Sequence, residues 1–385
     1  MKIILICESV FPETKGGQER WMVWLAVRLS SRGHDVFYLN NCRIQEKRDG
    51  VQYVSVINQK WNEKVIIKKH RRSIYQSLKF SIAIRPFIKK IEPDVIYCSQ
   101  AIFSIFSVWF SRQRNWLTVI EWLELWPIKH WCANVGLILG TLGYVSQRMA
   151  TKCGDVRVVV AQRFLKQLGK NKKNNILLPG LYMQKPNNIY PSFKIRNDVL
   201  FLARFVPHKQ PLLALGVIFQ LQKLGWQGIF HIIGTGTLIH SMRKEILVRK
   251  MTEYVNLIEN ASENEVEFCF EKSFALIHPS KQEGYGLVVI EAAERGIPTI
   301  LIDYPCNASL DLGISPDYFS NTDDPIALAI LIFQAFDNQE KNYNRLKNWT
   351  DEVLPKLNAD KSVDTLVSIF EKNMAACKIP PKLAN

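Results

Sequence analysis

The sequence contains no long apolar segment that would form a membrane-spanning helix. Its longest apolar run, residues 135–145, falls well short of the ~20 residues that a helix needs to cross a bilayer. The apolar stretch at the N terminus is also too short for a signal peptide. Glu8 follows it where a cleavage site would need a small residue. We therefore expect a chain that does not cross a membrane.

Motifs for metal or redox chemistry are lacking too. None of the eight cysteines forms a C-x-x-C pair, so we interpret them as reduced, mostly buried thiols in the cytosol. Neither His130 nor His278 has a second histidine or a carboxylate at ligand spacing, so both are expected to be ordinary polar residues. The sequence thus predicts no metal site and no cofactor.

Acidic residues are fewer than basic ones. The 50 Lys and Arg against 35 Asp and Glu give a net charge of +15, which favours anionic partners such as phosphates, nucleic acid or acidic lipid without naming one. The 385 residues exceed the roughly 250–300 that a single hydrophobic core can serve. Two domains are therefore expected.

Short β-branched runs alternate with helical patterns along the chain, which is typical of βαβ units and parallel sheets. The first set runs from "KIILIC" through "DVFYLN" and "DVIYC" to "NILLPG", and a second set runs from "VLFLARF" to "PTILI". A polar, proline-bearing stretch at residues 180–198 separates the two sets. The pattern predicts an α/β fold of two Rossmann-like doubly wound domains facing across a crevice. The predicted domains are 1–185 and 186–360, and residues 361–385 are predicted to form a helix that crosses back to the N-terminal domain, followed by a tail.

Two carboxylates, Glu283 and Glu291, flank the seven residues "GYGLVVI". The strand "FALIHPS" precedes them and a helix is predicted from Gly286, so Glu283 lies in a loop at the carboxyl end of a strand, where open α/β sheets bind ligands. Gly284 and Gly286 would leave backbone N–H groups accessible to an anion. Taken alone, such a pair is more often a solvated loop residue and an ordinary helix residue.

Two other short motifs precede this pair. In "LARFVPHKQ", Arg204 and Lys209 follow the first strand of the second half, and two cations beside a strand end suit a diphosphate. In "FHIIGTGTL", the next strand runs into Gly234 and Gly236, a turn that lets the backbone approach a nucleotide closely. Each motif is weak by itself, since surface cations and isolated G-x-G turns are common.

In order and spacing, these three pieces resemble the second domain of the family-4 retaining glycosyltransferases of the GT-B fold, the glycosyl transferases group 1. The stretch "EGYGLVVIE" matches the E-x7-E motif of that family. The N-terminal "GGQERWMVWLAVRLSSRGHDV" resembles its glycine-rich loop and first helix. The resemblance covers nearly the whole chain and is most specific over residues 204–298.

The resemblance implies a retaining, hexosyltransferase-type enzyme that moves a sugar from a nucleotide-diphosphate donor to a hydroxyl acceptor without a metal. Glu283 would contact the sugar hydroxyls, Glu291 the ribose, and Arg204 with Lys209 the diphosphate. The other residues implied at the donor are Gly284, Tyr285, Gly286, Gly234 and Gly236. Gly16 and Gly17 would lie near the phosphate and acceptor side.

The chain departs from the family pattern after one strand of the first domain. Many members carry a catalytic-site histidine there, whereas "TVIEWLELWPIKHW" puts Glu121 in that place. The E-W-x-E-x-W stretch resembles a subgroup, so Glu121 is a catalytic candidate, and Trp122, Glu124 and Trp126 are assigned to the acceptor side. The alternative is that the tryptophans belong to the core and the glutamates are solvated.

Residues 60–90 hold ten Lys and Arg and one acidic residue, Glu63. An apolar stripe at helical spacing runs through this segment, and Lys68, Arg72 and Lys79 border it. A helix of this kind can lie on an anionic membrane surface, or it can pack normally with a solvated basic edge. The stripe consists of Ile67, Ile74, Tyr75, Leu78 and Ile82.

The sequence therefore favours a cytoplasmic glycosyltransferase of polysaccharide or cell-envelope biosynthesis, peripheral on the inner face of the plasma membrane. Its expected partners are a nucleotide sugar, a hydroxyl acceptor that is lipid-linked or a glycan precursor, and an anionic membrane surface, but not nucleic acid. Two alternatives stay open. One is a nucleotide-sugar epimerase on the same architecture, and the other is a basic binding protein that has lost catalysis.

Overall fold

The computed structural model describes residues 1–13, 16–42, 44–56, 74–111, 116–169, 174–183 and 190–377. Among these residues, no helix is both long enough and apolar enough to traverse a bilayer. The chain divides into two compact units, Met1–Leu181 with Asn358–Asn385, and Tyr182–Leu357, here called the first and second units. These boundaries fall a few residues before the predicted 185/186 and 360/361.

The first unit alternates strands and helices. Its elements, apart from the last helix of the chain, are β1 (Lys2–Ile6), α1 (Gly17–Ser31), β2 (Asp35–Asn40), β3 (Glu46–Arg48), β4 (Val51–Ser55), α2 (Ile74–Ile91), β5 (Val95–Cys98), α3 (Ile102–Phe110), β6 (Leu117–Trp122), α4 (Ile128–Val135), α5 (Leu137–Ala150), β7 (Val156–Val159), α6 (Gln162–Leu168) and β8 (Asn175–Leu177).

The strands of the first unit form one sheet in the order β3-β4-β2-β1-β5-β6-β7-β8. Its neighbouring strands pair in parallel, except that β3 and β4 form an antiparallel hairpin. The hairpin turns at Asp49 and Gly50, which both have positive φ, as a two-residue Asp-Gly turn requires. The strand β1 lies in the middle of the sheet with its last four residues buried, which is why these residues form a continuous apolar run in the sequence.

The second unit has the same alternation. Its elements are β9 (Asp198–Leu202), α7 (Pro211–Lys223), β10 (Phe230–Ile233), α8 (Ile239–Val248), β11 (Val255–Ile258), α9 (Glu263–Lys272), β12 (Ser273–His278), β13 (Gln282–Glu283), α10 (Leu287–Ala293), β14 (Thr299–Ile302), β15 (Cys306–Asn307), β16 (Phe319–Ser320), α11 (Pro325–Asp337) and α12 (Gln339–Glu352).

Six strands of the second unit form a parallel sheet in the order β11-β10-β9-β12-β14-β16, and β13 pairs with β15 separately. The chain runs from β9 outward to β11 and then returns to β12 on the other side of β9. The loops after β9 and β12 therefore diverge at a switch point, which is where doubly wound sheets bind ligands. The two-domain α/β prediction with parallel sheets is confirmed.

The last helix, α13 (Ala359–Cys377), belongs to the first unit and contacts α1 and β6. Val363, Leu366 and Phe370 are buried along one side of it, as their helical spacing predicts. Ser362 anchors its first turn, because its hydroxyl donates to the Gly180 carbonyl and accepts from the Gly180 N–H. The chain therefore returns from the second unit to complete the packing of the first.

The cysteines whose side chains the structure describes are free thiols. Five of them are buried and two are half-buried, in agreement with the predicted reduced, mostly buried state. These buried thiols are Cys7, Cys98, Cys153, Cys269 and Cys306, and the half-buried ones are Cys42 and Cys132.

Candidate active site

The loop that carries Glu283 is fixed from two sides. The short strand β13 pairs Glu283 with Asn307 of β15. The Lys281 N–H donates to the His208 carbonyl over 2.8 Å, which ties this loop to a 3₁₀ helix at Pro207–Lys209. The chain segments after β9 and β12 therefore meet at the switch point of the second unit, and they bring Lys209 to Glu283.

Glu283 holds its two oxygens in different environments. Lys209 Nζ lies 2.6 Å from Oε2, and His278 Nε2 lies 2.9 Å from the same oxygen. Within the described residues, Oε1 accepts one hydrogen bond, from the Gly284 N–H at 3.2 Å. A carboxylate oxygen can accept more than one hydrogen bond. The second oxygen therefore keeps capacity for hydroxyl donors of a ligand.

The charges of this cluster follow from burial and pairing. Burial alone would raise the pKa of Glu283, but the Lys209 ammonium and the His278 imidazole outweigh it and hold that pKa well below its ordinary value. Burial lowers the pKa of His278, and the bond to Glu283 offsets this only in part. The imidazole is therefore neutral near pH 7 and donates its Nε2–H to an ionised Glu283.

His278 has a more specific role than the sequence predicted. It was expected to be an ordinary polar residue rather than a metal ligand, and it lies buried at the end of β12 with its ring bonded to Glu283. The five-residue separation is not a helical or strand spacing. Only the loop that turns back after β12 brings the two side chains together, so sequence spacing alone could not reveal the pair.

Glu291 lies one turn into α10 and is half-buried. The helix begins at Leu287, one residue after the predicted start, and Gly286 caps it with a φ of 89°. A Cβ at Gly286 would lie 2.6 Å from the Ser309 side chain, so both conformation and packing require glycine there. Gly284 and Tyr285 are buried beside it, which places the predicted donor residues 283–291 in one continuous loop and helix.

Gly234 and Gly236 pack against the loop of Arg204. The Phe205 N–H donates to the Thr235 carbonyl at 2.7 Å, and a Cβ on either glycine would collide with the backbone of residues 203–205. Close packing of the backbone is therefore sufficient to explain why both positions are glycine. Their predicted approach to a nucleotide stays a prediction.

The two predicted diphosphate cations differ in their surroundings. Arg204 is exposed on the loop after β9, whereas Lys209 is buried against Glu283, and its Nζ also donates to the Gln282 carbonyl at 3.3 Å. The sequence interpretation treated them as an equivalent pair beside a strand end. The structure shows one solvent-facing guanidinium and one ammonium held in an ion pair.

In the first unit, Glu121 is fully buried at the C-terminal end of β6. Its Oε1 accepts hydrogen bonds from Trp21 Nε1 and from the Tyr97 hydroxyl, both at 2.6 Å. Within the described residues, Oε2 has no hydrogen-bond partner. Burial raises the pKa of Glu121 to about 7, although the two donors oppose the rise. The alternative of a solvated glutamate is therefore wrong for Glu121.

The rest of the E-W-x-E-x-W stretch is divided between core and loop. Trp122 is buried in the core, as the alternative interpretation had it. Glu124 Oε2 accepts from Trp126 Nε1 at 2.9 Å, so these two half-buried side chains bind each other. The backbone N–H groups of residues 123 and 124 donate to Gln100 Oε1, which fixes the loop after β6.

At the glycine-rich loop, α1 begins at Gly17 with Gly16 as its N-cap. The buried Glu19 lies in the first turn and accepts from the Ser9 hydroxyl at 2.9 Å, and its carboxylate is also adjacent to Gly16. An acidic side chain thus already occupies the positive end of this helix, which disfavours a second anion there. Gly16 and Gly17 were predicted to lie near the phosphate and the acceptor. The position of Glu19 favours a role near the acceptor over a role near the phosphate.

Sequence reasoning missed three side chains that shape these clusters: His278, Trp21 and Tyr97. Trp21 lies on α1 and Tyr97 on β5, far from Glu121 along the chain, so only the tertiary fold brings them together.

His130, the other histidine considered in the sequence, packs edge-on against the ring of Trp126, with 4.5 Å between the ring centroids. Across the described ranges, no group of three or more His, Cys, Asp or Glu side chains is placed to hold a metal ion.

Comparison with known families concerns mainly the second unit. Residues 185–350 match the family model described as glycosyl transferases group 1. Residues 185–350 form a glycosyl transferases group 1 domain. This domain contains Arg204, Lys209, Glu283 and Glu291, so the family resemblance is confirmed for this part of the chain. The family-4 assignment and the E-W-x-E-x-W subgroup stay predictions.

Individual relatives extend the likeness into the first unit. An uncharacterized glycosyltransferase of Haemophilus influenzae is 25% identical over 298 residues, which is 74% of this chain and 76% of that protein. The O-antigen chain mannosyltransferase RfbU of Salmonella typhimurium is 28% identical over 90 residues, which is 23% of this chain and 26% of that protein. The chain is thus similar in sequence to glycosyltransferases over most of its length.

Solved structures agree on the fold. The sucrose-phosphate synthase of Thermosynechococcus elongatus has a TM-score of 0.79 at 16% identity, with 97% of this chain and 99% of that chain covered. The glycosyltransferase WaaG has a TM-score of 0.67 at 15% identity, covering 98% and 100%. Anabaena HepE, solved with UDP, has a TM-score of 0.68 at 14% identity, covering 97% and 100%. The chain therefore has the two-domain GT-B fold.

Proposed function

We propose that the protein is a retaining glycosyltransferase that moves a hexose from a nucleotide-diphosphate sugar to a hydroxyl acceptor. One observation carries the proposal. Within a glycosyl transferases group 1 domain, Glu283 is held ionised by Lys209 and His278 at a sheet switch point, while its Oε1 keeps capacity to accept hydrogen bonds. A fixed carboxylate oxygen of this kind suits the hydroxyl groups of a sugar.

The donor is proposed to be a nucleotide diphosphate sugar. HepE was solved with UDP, and its fold matches this chain. Negative charge develops on the diphosphate as the sugar leaves, and fixed cations near that charge stabilise it. The exposed Arg204 is proposed to contact the diphosphate directly, and Lys209 is proposed to add its charge from beside Glu283. With these two cations, the proposal requires no metal and no cofactor.

Retention of configuration is proposed from the family resemblance, and it requires departure and attack on the same face of the sugar. Glu121 is proposed here as a positioning residue and no longer as a catalytic one. Its carboxyl group is fully buried and accepts hydrogen bonds from Trp21 and Tyr97, which fixes the end of β6 just before the loop that carries Glu124. Glu124, with Gly16 and Gly17, is proposed to form the acceptor side, whereas Trp122 is no longer assigned to it because it is buried in the core.

The acceptor is proposed to be a lipid-linked or polysaccharide precursor of the cell envelope. The similarity to an O-antigen chain mannosyltransferase and the fold match with WaaG, described as involved in lipopolysaccharide biosynthesis, support this class. The basic segment 60–90 supports a cytoplasmic enzyme attached to the inner face of the plasma membrane. Lys68 and Arg72 lie outside the described residues, whereas Lys79 lies on α2 beside Tyr75.

A product assay tests this function. The protein is incubated with radiolabelled nucleotide sugars, with and without an extract of lipid-linked glycans, and the label is followed by chromatography. Transfer to an acceptor that needs Glu283 supports the proposal. Release of an epimerised nucleotide sugar would indicate the epimerase alternative. If every sugar tested were bound but unchanged, or not bound at all, the binding-protein alternative would be favoured.

A further inference from the structure

The helix α5 turns an apolar face to solvent. Ile138, Leu142, Val145 and Met149 follow each other at helical spacing and are 77%, 59%, 48% and 57% exposed. Four residues spaced in this way lie within one narrow stripe along the helix. In a surface helix such a stripe normally faces the core, whereas in α5 it faces solvent.

The opposite side of α5 is already packed. A Cβ at Gly140 would lie 2.5 Å from the Cys132 backbone of α4, and a Cβ at Gly143 would meet the Trp131 ring at the same distance. Small residues therefore allow α4 and α5 to approach closely. Gln147 on this side binds the Trp126 backbone through both ends of its amide. The helix cannot turn its apolar stripe inward without losing these contacts.

The helices of this region carry charged side chains of one sign only. The helices α2, α3, α4 and α5 contain no aspartate or glutamate. The helix α3 contacts both α2 and α5, and α4 packs on α5, so the four helices form one region of the first unit. Their basic residues are Lys79, Arg85, Lys89, Lys90, Lys129 and Arg148.

Further large apolar side chains are exposed on the same four helices. The helix α2 contributes three of them and α3 one, and the ends of α4 and α5 add three more. Together with the stripe they make these four helices richer in exposed apolar side chains than the singly scattered ones that a soluble surface normally carries. They are Tyr75, Leu78, Ile82, Phe110, Ile128, Leu137 and Leu139.

We infer that the apolar stripe of α5 lies in the interfacial layer of an anionic bilayer, with the helix parallel to the membrane. At 1.5 Å per residue its 14 residues span about 21 Å, less than the ~30 Å hydrocarbon core, so the helix is suited to lie in the interface. Buried apolar area and attraction between basic residues and acidic lipids together drive this mode of binding.

A second copy of the chain fits this surface less well. A two-fold interface would bring each basic helix region against the same region of the partner. Like charges in such an interface repel each other, and no carboxylate on these four helices could compensate. An anionic lipid surface instead complements both the apolar stripe and its positive surroundings.

The inference extends the proposed membrane attachment from the basic segment 60–90, which includes most of α2, to the stripe of α5, and it does not depend on sugar transfer. Binding is therefore measured without donor or acceptor, by sedimentation of the full chain with vesicles of phosphatidylcholine alone and with added phosphatidylglycerol. Salt distinguishes apolar insertion from electrostatic attraction to the lipid, because the Debye length falls from ~10 Å at 0.1 M to ~3 Å at 1 M. Apolar insertion persists at high salt, whereas purely electrostatic binding is lost.

The test variant is Ile138→Gln with Leu142→Gln, an i, i+4 pair in the stripe. The matched control is Ile326→Gln with Ile330→Gln, an i, i+4 pair on α11 of the second unit that is 51% and 48% exposed. The stripe variant is expected to bind anionic vesicles at least about tenfold more weakly than the natural protein, since two buried apolar side chains are lost. The control is expected to bind unchanged.

Equal vesicle binding by the stripe variant and the natural protein would overturn the inference. So would the absence of vesicle binding by the natural protein. Sedimentation velocity tests the rival occupant, a second copy of the chain. If the natural protein were a dimer and the stripe variant a monomer, this face would be a self-association surface. Thermal unfolding of both variants confirms that they are folded, and an unaltered sugar-transfer rate on a soluble acceptor would show that the donor chemistry is separate.

Discussion

Lys209 Nζ lies 2.6 Å from Glu283 Oε2, and the two side chains are only 10% and 15% exposed. The carboxylate that is proposed to bind the sugar therefore carries its own counter-ion, which comes from the loop after the neighbouring strand. This relationship gives the two cations of "LARFVPHKQ" different tasks. Lys209 keeps Glu283 ionised and in place, whereas Arg204 faces solvent, where it is able to meet a phosphate.

We predict that Lys209→Ala and Arg204→Ala both lower turnover by roughly 10²-fold or more, the scale of losing one preorganised charge-stabilising group. Their effects on stability should differ. Lys209→Ala leaves Glu283 as a poorly solvated charge without its cation, which costs up to about 3–5 kcal/mol for a fully buried pair and less here. Urea unfolding of the two variants measures the contrast.

Arg204→Ala serves as the control, because an exposed side chain contributes little to the free energy of unfolding. If the two variants lost the same stability, the ion pair would not have the role described for it. If neither variant slowed transfer, both residues would lie outside the donor site, whatever their effects on folding.

The second prediction concerns acid pH and Glu283→Gln. Burial would raise the folded-state pKa of Glu283, but Lys209 and His278 outweigh burial and hold this pKa well below its ordinary value. A depressed pKa contributes stability that is present above the ordinary value of 4.5 and is lost as pH falls toward the folded value. The natural protein should therefore lose more stability below pH 4.5 than Glu283→Gln does. Unfolding midpoints on an acid pH series measure this, and parallel curves would contradict it.

Much of the second unit could be predicted from sequence. The order of β-branched runs and helical patterns predicted β9, β10, β11, β12 and β14, and the E-x7-E spacing identified a loop and helix that the fold places together. The exact neighbours of Glu283 could not be predicted. The bond from His278 depends on how the loop after β12 turns back, and that turn is fixed by the pairing of β13 with β15, two strands of two residues each.

The first unit shows the same limit at Glu121. The strand β6 was predicted, but the glutamate's burial depends on donors from α1 and β5, which no local pattern reveals. The β3–β4 hairpin was overlooked although its signal was present, since Asp49-Gly50 is a typical two-residue hairpin turn. The exposed stripe of α5 reads in sequence as an ordinary buried helix, because periodicity alone does not say which side a helix packs.

The third prediction is that Glu291→Ala weakens donor binding by about 1–3 kcal/mol, because the carboxylate predicted to hold the ribose hydroxyls is lost. Calorimetry with a panel of nucleotide sugars measures the change. Glu267→Ala is the matched control, since Glu267 is an exposed glutamate whose carboxylate binds Arg295, the residue that also donates to the Glu291 carbonyl. Unchanged affinity of Glu291→Ala would refute the assignment to the ribose.

The fourth prediction is that EDTA leaves sugar transfer intact. In the proposed mechanism, Arg204 and Lys209 supply the positive charge that a metal ion would otherwise bring to the diphosphate. Transfer rates are compared before and after dialysis against EDTA, and then after Mg²⁺ or Mn²⁺ is added back. Loss of activity that either metal restores would show that the metal-free mechanism is wrong.

The last prediction concerns Glu121→Gln and pH. Burial raises the folded-state pKa of Glu121 to about 7, from an ordinary value of 4.5. Between these values the unfolded chain has lost its proton while the folded protein keeps it, so stability falls as pH rises. At 1.36 kcal/mol per pKa unit, this group costs up to about 3 kcal/mol by pH 8.

The amide in Glu121→Gln has nearly the same shape, and its oxygen is able to accept the bonds from Trp21 and Tyr97, but it cannot ionise. The free energy of unfolding of this variant, relative to the natural protein, should therefore increase by up to about 3 kcal/mol from pH 5 to pH 8. Urea unfolding at the two pH values measures this difference, and effects of all other groups cancel in it. A difference that stayed constant with pH would mean that Glu121 is not a buried carboxyl that titrates near neutrality.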